Sequence, residues 1–156
     1  MTLPAQVAQQ NDDPVTETLY QQVQHFYARQ MQLLDEGQIA AWADTFTVDG
    51  VFAADAQPEP VAGRAAIRTA AQAARDALDA KAIRRRHWLG MVDVRPDGPD
   101  QVRVVSYALV LEIPRGGPAT VHVHTTCDDV LVRRGGAWRV KHRQVRRDDL
   151  AGGAAR

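Results

Sequence analysis

The sequence predicts a single α+β domain in which helices from the first half close over a curved antiparallel sheet formed by the second half. Three observations lead there. Length and composition, 156 residues with 45% apolar and 24% charged, suit one folded core of ordinary globular make-up. Apolar residues recur at helical spacing up to about residue 80 and in alternation afterwards. Helices gathered first and strands gathered second exclude a βαβ sheet, which needs the two to alternate along the chain.

Residues 1–15 combine Gln, Asn, Asp and Pro with almost no apolar periodicity and read as a mobile arm; 151–156, rich in Gly and Ala, read as a frayed tail. The domain is expected over residues 16–150. Leu19, Val23, Phe26, Tyr27, Met31 and Leu34 fall three and four apart, which predicts an amphipathic helix with Thr16 as its N-cap and Gly37 near its end. A short second helix follows over 38–46 with Ile39, Trp42 and Phe46 on one stripe. Asp49-Gly50 then turns the chain into a strand at Val51-Phe52-Ala53, and residues 55–60 form a loop. Gly63-Arg64 opens a third helix that turns Ile67, Ala70, Ala71, Ala74 and Leu78 inward, its small alanines suited to close packing on a sheet. Valine-rich stretches over 87–94, 101–113, 119–132 and 137–145, separated by Gly- and Pro-containing turns, predict a four-stranded antiparallel meander.

Lys plus Arg equals Asp plus Glu at 19 each, so there is no net positive field to attract nucleic acid or an anionic membrane. A small-molecule partner is the expectation. One cysteine, Cys127, allows neither an intrachain disulfide nor a cysteine-based zinc site. With no signal-peptide pattern at the start and no 18-residue apolar run, the cytoplasm is the expected compartment. Gly63, Gly116-Gly117 and Gly135-Gly136 lack the strand-to-helix context of a phosphate loop, so no nucleotide cofactor is expected.

Leu34-Asp35-Glu36-Gly37 followed by Trp42, Phe46-Thr47-Val48-Asp49-Gly50-Val51-Phe52 and Gly63-Arg64-Ala65-Ala66-Ile67-Arg68 together resemble the nuclear transport factor two-like superfamily. Arg86-His87-Trp88-Leu89-Gly90 and Gly136-Ala137-Trp138-Arg139-Val140, with Arg143 near the end, resemble its SnoaL-like branch. The resemblance spans roughly residues 16–147. It implies a cone, in which a bent mixed or antiparallel sheet wraps a long N-terminal helix and leaves a deep apolar pocket. It also implies a choice of function, because the superfamily holds polyketide cyclases, scytalone dehydratase, ketosteroid isomerase and a dehydrochlorinase beside the non-catalytic small subunit of ring-hydroxylating dioxygenases.

Asp35 lies about 40° and 80° around the helical wheel from Met31 and Tyr27, at the edge of the apolar stripe. It reads either as a pocket carboxylate with a raised affinity for protons or as a solvent-facing residue at a helix-to-turn junction. His87 opens a strand directly after Arg84, Arg85 and Arg86, and imidazole, with an ordinary pKa of about 6.5, is the side chain best suited to proton shuttling. By resemblance, His87 stands where the dehydrochlorinase and scytalone dehydratase carry a catalytic histidine, and Asp35 where the dehydrochlorinase carries the aspartate paired with it. The three arginines read as a solvated face, or one of them as a contact for a carboxylate or phosphate on the substrate.

His122 and His124, two apart in a strand, are expected on one face; without a visible third ligand they do not make a metal site, and no metal is expected. His124 is a candidate pocket residue, as resemblance to scytalone dehydratase implies. Tyr27 and Tyr107 are candidate donors to a substrate carbonyl, with core filling as the alternative for each. Trp42 and Trp88 are candidate walls against a flat ligand. Apolar residues on both parities of 102–111 and 121–132 predict that the outer sheet face is covered in a homodimer. The function expected is a cofactor-free cyclase, dehydratase or isomerase of natural-product biosynthesis acting by acid–base chemistry on a hydrophobic polyketide-type or polycyclic substrate. The alternative is a binding or structural subunit with an inert pocket.

Overall fold

The computed structural model describes residues 16–150, so the two terminal segments lie outside the described residues. Helix α1 (Glu17–Asp35) begins where the Thr16 hydroxyl accepts the Leu19 N–H at 3.2 Å, an N-cap of the expected kind. It ends through Gly37, whose φ of +75° suits a residue without a side chain. The buried stripe of α1 is Val23, Tyr27, Gln30, Met31 and Asp35, so two polar residues share the face that sequence periodicity assigned to apolar ones.

Helix α2 (Ile39–Ala43) is shorter than the expected 38–46. Phe46 instead opens strand β1 (Phe46–Ala54), because Val140 N–H donates to the Thr45 carbonyl at 2.8 Å and draws the chain alongside the last strand. After a two-residue strand β2 (Val61–Ala62), between the expected loop and the expected third helix, comes α3 (Arg64–Ala80). Four long strands follow as the expected meander: β3 (Ile83–Pro96), β4 (Gln101–Pro114), β5 (Thr120–Arg134) and β6 (Ala137–Arg147). The sheet is six-stranded and mixed, in the order β2-β1-β6-β5-β4-β3, with β1 parallel to β6 and every other pair antiparallel.

The sheet curls strongly. Strands β1 and β3 are four interstrand steps apart, roughly 19 Å measured along the sheet. Yet α3, a cylinder about 10–12 Å across, packs against both of them. A flat sheet does not allow this; a cone does. Interruptions in register between Gly90 and Asp93, Val110 and Leu111, and Val130 and Leu131 are β-bulges, which add the local bend and twist that closure requires. The core is filled by Val23, Tyr27, Phe46, Val102, Val104, Leu131 and Val140, all nearly inaccessible. No helix among the described residues is long and apolar enough to cross a membrane.

Candidate active site

The mouth of the cone holds a cavity of about 300 Å³, at the small end of the range for small-molecule sites. Ala70, Ala71, Ala74 and Leu78 of α3 form one wall, and Ile39 and Trp42 of α2 stand with Phe52 of β1 on the others. The alanines open the space that larger residues would fill, so the alanine spacing in the sequence becomes a slot rather than a tight helix–sheet contact. Trp42 is almost fully buried and meets Phe46 edge-on at 5.0 Å, which fixes its ring as a rigid wall.

Asp35 and His87 meet at this cavity. The C-terminal turn of α1 lies against β3, and one Asp35 oxygen contacts His87 Nδ1 at 2.6 Å while the other accepts the His87 backbone N–H at 3.0 Å. Of the two positions open to Asp35, the pocket is the one it takes, with 8% of the residue exposed. A carboxylate that accepts from both donors places a proton on Nδ1, so that in the neutral ring the lone pair belongs to Nε2, on an imidazole that lines the cavity. The pair is held from behind. Arg75 of α3 donates from Nη1 to the Asp35 carbonyl at 3.2 Å and from Nε to Asp79 at 3.0 Å. Its guanidinium lies where a side chain on Gly37 would stand, 2.9 Å from the position of a Cβ there.

Four other candidates lie elsewhere. Tyr27 is 1% exposed in the core, and its hydroxyl donates to Asp129 at 2.9 Å, so it is not a pocket donor. Trp88 is 69% exposed on the outer face of the sheet, because strand alternation that turns His87 inward turns its neighbour outward. Tyr107 alternates with buried Ser106 and Ala108 and faces outward too, edge-on to His124 at 5.5 Å. His124 is bound to Asp148 at 2.6 Å on that outer side rather than lining the pocket. The expectation that His122 and His124 share a face fails because of the β4–β5 bulge. Val110 pairs with Val123 and Leu111 with Val121, so His122 is the extra residue, and it reaches Arg85 at 3.2 Å and Glu112 at 3.5 Å beside the cavity. Among the described residues no group of three His, Cys, Asp or Glu side chains converges as a metal site would require.

Beneath the site lies a buried polar network that sequence reading missed. Arg143 of β6 donates to both oxygens of Asp129, its cross-strand partner on β5, at 2.7 to 3.2 Å, and to Gln30 of α1 at 2.8 Å. Gln30 passes the connection to Thr45 at 2.7 Å. Arg143 and Asp129 are 4% and 0% exposed, and the neighbouring carboxylate holds the guanidinium charged despite its burial. Burial, then the Asp129 charge, pushes the Tyr27 phenol well above its ordinary pKa. The bulge at Val130/Leu131 decides this geometry: Lys141 is the unpaired residue on β6, and beyond it Arg143 takes the inward position. The one signal in the sequence is Asp128-Asp129 inside an apolar strand, since alternation must send one of two adjacent residues inward.

The SnoaL-like domain model matches residues 17–144. The chain belongs to that family. Aln2 from a Streptomyces species is similar at 32% identity over 87% of this chain and 95% of that one, with a TM-score of 0.81. ActVI-ORFA from Streptomyces coelicolor is 31% identical over 85% of this chain and 99% of its own, with a TM-score of 0.78. A protein from Catenulispora acidiphila, solved in complex with S-DNPA, is 36% identical over 85% of this chain and 95% of its own, with a TM-score of 0.73. Among curated proteins none matches the chain.

Proposed function

We propose that this protein is a cofactor-independent cyclase, dehydratase or isomerase that moves a proton on a hydrophobic polyketide-type or polycyclic substrate held in the mouth of the cone. The observation that carries the reading is the Asp35–His87 pair on a cavity walled mainly by apolar side chains. Nε2 of His87 takes a proton from carbon next to a substrate carbonyl, and the electron pair of the broken C–H bond passes into the enolate. The Asp35 carboxylate, already bonded to Nδ1–H, offsets the charge of the imidazolium that forms. The proton on Nε2 then returns, to another carbon in an isomerisation or to a departing hydroxyl in a dehydration or cyclodehydration. A relative solved with S-DNPA bound supports a cavity that takes a ligand. We also propose a homodimer formed through the outer sheet face, where Trp88 and Tyr107 are exposed beside half-buried Leu109 and Leu111.

The test is hydrogen–deuterium exchange at the acidic C–H positions of 2-tetralone, a neutral bicyclic ketone, followed by proton NMR in D2O. Acceleration by the wild-type protein that disappears in His87→Gln is the expected result. Equal rates with both proteins would remove the proton-transfer reading.

A further inference from the structure

Resting on that reading of the cavity, we infer that the substrate carries an anionic group, a carboxylate, which docks between Arg75 and Arg85 beside the catalytic pair. Apart from Asp35 and His87, these two guanidiniums are the charged groups that line the cavity among the described residues. Arg75 comes from α3 and touches Asp35 through its carbonyl. Arg85 stands two residues before His87 on the same face of β3, about 7 Å along the strand. They therefore flank the pair from two elements.

Each arginine is braced by an acid that does not itself line the cavity. Asp79 takes Nε of Arg75, and Glu112 takes Nε and Nη2 of Arg85 at 3.0 and 2.7 Å. His122 holds the same Nη2 of Arg85 at 3.2 Å. The acids fix the forks from behind, and Nη2 of Arg75 and Nη1 of Arg85 remain without a protein partner among the described residues. Both side chains are about one-third exposed, 30% and 32%, so they sit at the rim, where the charged end of a ligand stays near water while its apolar body enters the slot. A neutral apolar ligand covering this rim would strip water from two cations without replacing those contacts, whereas a carboxylate supplies charge-assisted acceptors for both. Arginine is suited to this task because its planar fork matches the two oxygens of a carboxylate. An anion bound there also anchors one end of the substrate in the same cavity as the base, which orients the carbon to be deprotonated.

The experiment compares 2-naphthylacetic acid with 2-naphthylacetamide, equal in shape and different in charge at pH 7, by titration calorimetry and by the NMR shifts of the Ile67 and Leu78 methyls. The acid is expected to bind at least tenfold more tightly, with a preference that shrinks as salt is raised. Arg85→Gln should bring acid and amide together, while Glu112→Gln, which leaves the Arg85 charge and removes its counter-charge, should keep the preference or increase it. Circular dichroism checks the fold of both variants. Equal binding of acid and amide by the wild type overturns the anion site alone, because deuterium exchange into neutral 2-tetralone tests the proton-transfer pair independently. A preference undiminished in Arg85→Gln overturns it as well. Failure of both compounds to shift the pocket methyls overturns the anion site together with the cavity reading.

Discussion

Replacing Asp35 by Asn tests how the carboxylate works. In the native pair, Oδ1 and Oδ2 take the ring Nδ1–H at 2.6 Å and the backbone N–H of His87 at 3.0 Å. An asparagine amide can keep the backbone bond through its oxygen, but its NH2 then faces Nδ1. The ring answers by carrying its proton on Nε2, the nitrogen that must be free to act as base. Charge is lost as well: a hydrogen bond to an ionised group is worth about 1.5–3 kcal/mol, so the imidazolium loses roughly that much support with its one bond to the carboxylate. At 1.36 kcal/mol per tenfold, that alone is a fall of about 10–10² in rate, and with the proton now on the nitrogen that must act as base the fall should reach about 10²–10⁴, the usual yield of general acid–base catalysis. His87→Gln should fall by a similar factor, and the double variant should be little worse than either, since one loss already disables the unit. Exchange into 2-tetralone gives the rates, and circular dichroism with thermal melting confirms that each variant is folded. A folded His87→Gln protein with near-native turnover would refute the mechanism, and the inert-pocket binding subunit would then be the better account. Multiplying effects in the double variant would show that Asp35 and His87 act separately.

Three further outcomes follow from the structure. Because burial and Asp129 raise the Tyr27 pKa in the folded state, the unfolded chain gives up this proton first as pH rises. Stability from this group is therefore full below about pH 10 and lost above it, and Tyr27→Phe should flatten the alkaline limb of a Tm–pH curve. Gly37→Ala meets both a φ of +75° and the Arg75 guanidinium at 2.9 Å, so urea titration should show a loss of about 1–2 kcal/mol; an unchanged midpoint would mean that neither constraint is felt. Light scattering at micromolar concentration should give twice the chain mass of 17.2 kDa, and Trp88→Glu should shift it to one; a monomeric wild type would refute the dimer.

Much of the fold could be read along the chain because local rules govern it. Helical periodicity, the Thr16 cap, Gly37 at the helix end and valine-rich alternation between Gly and Pro turns set α1, α3 and the four-stranded meander. Asp35 and His87 were legible as residue types at element ends, with the resemblance naming them as partners. Tertiary structure decided which residues share a face beyond a bulge, and that is where sequence reading failed. A single extra residue reverses side-chain parity, so His122 reaches Arg85 while His124 lies outside, and Arg143 rather than His142 faces Asp129. Closure of the cone is equally non-local. Only when β1 and β3 are bent toward α3 do Arg75, forty positions from Asp35 in sequence, and Arg85 stand around one cavity. Periodicity reports on a few neighbouring residues. The site depends on where curvature brings distant strand faces together.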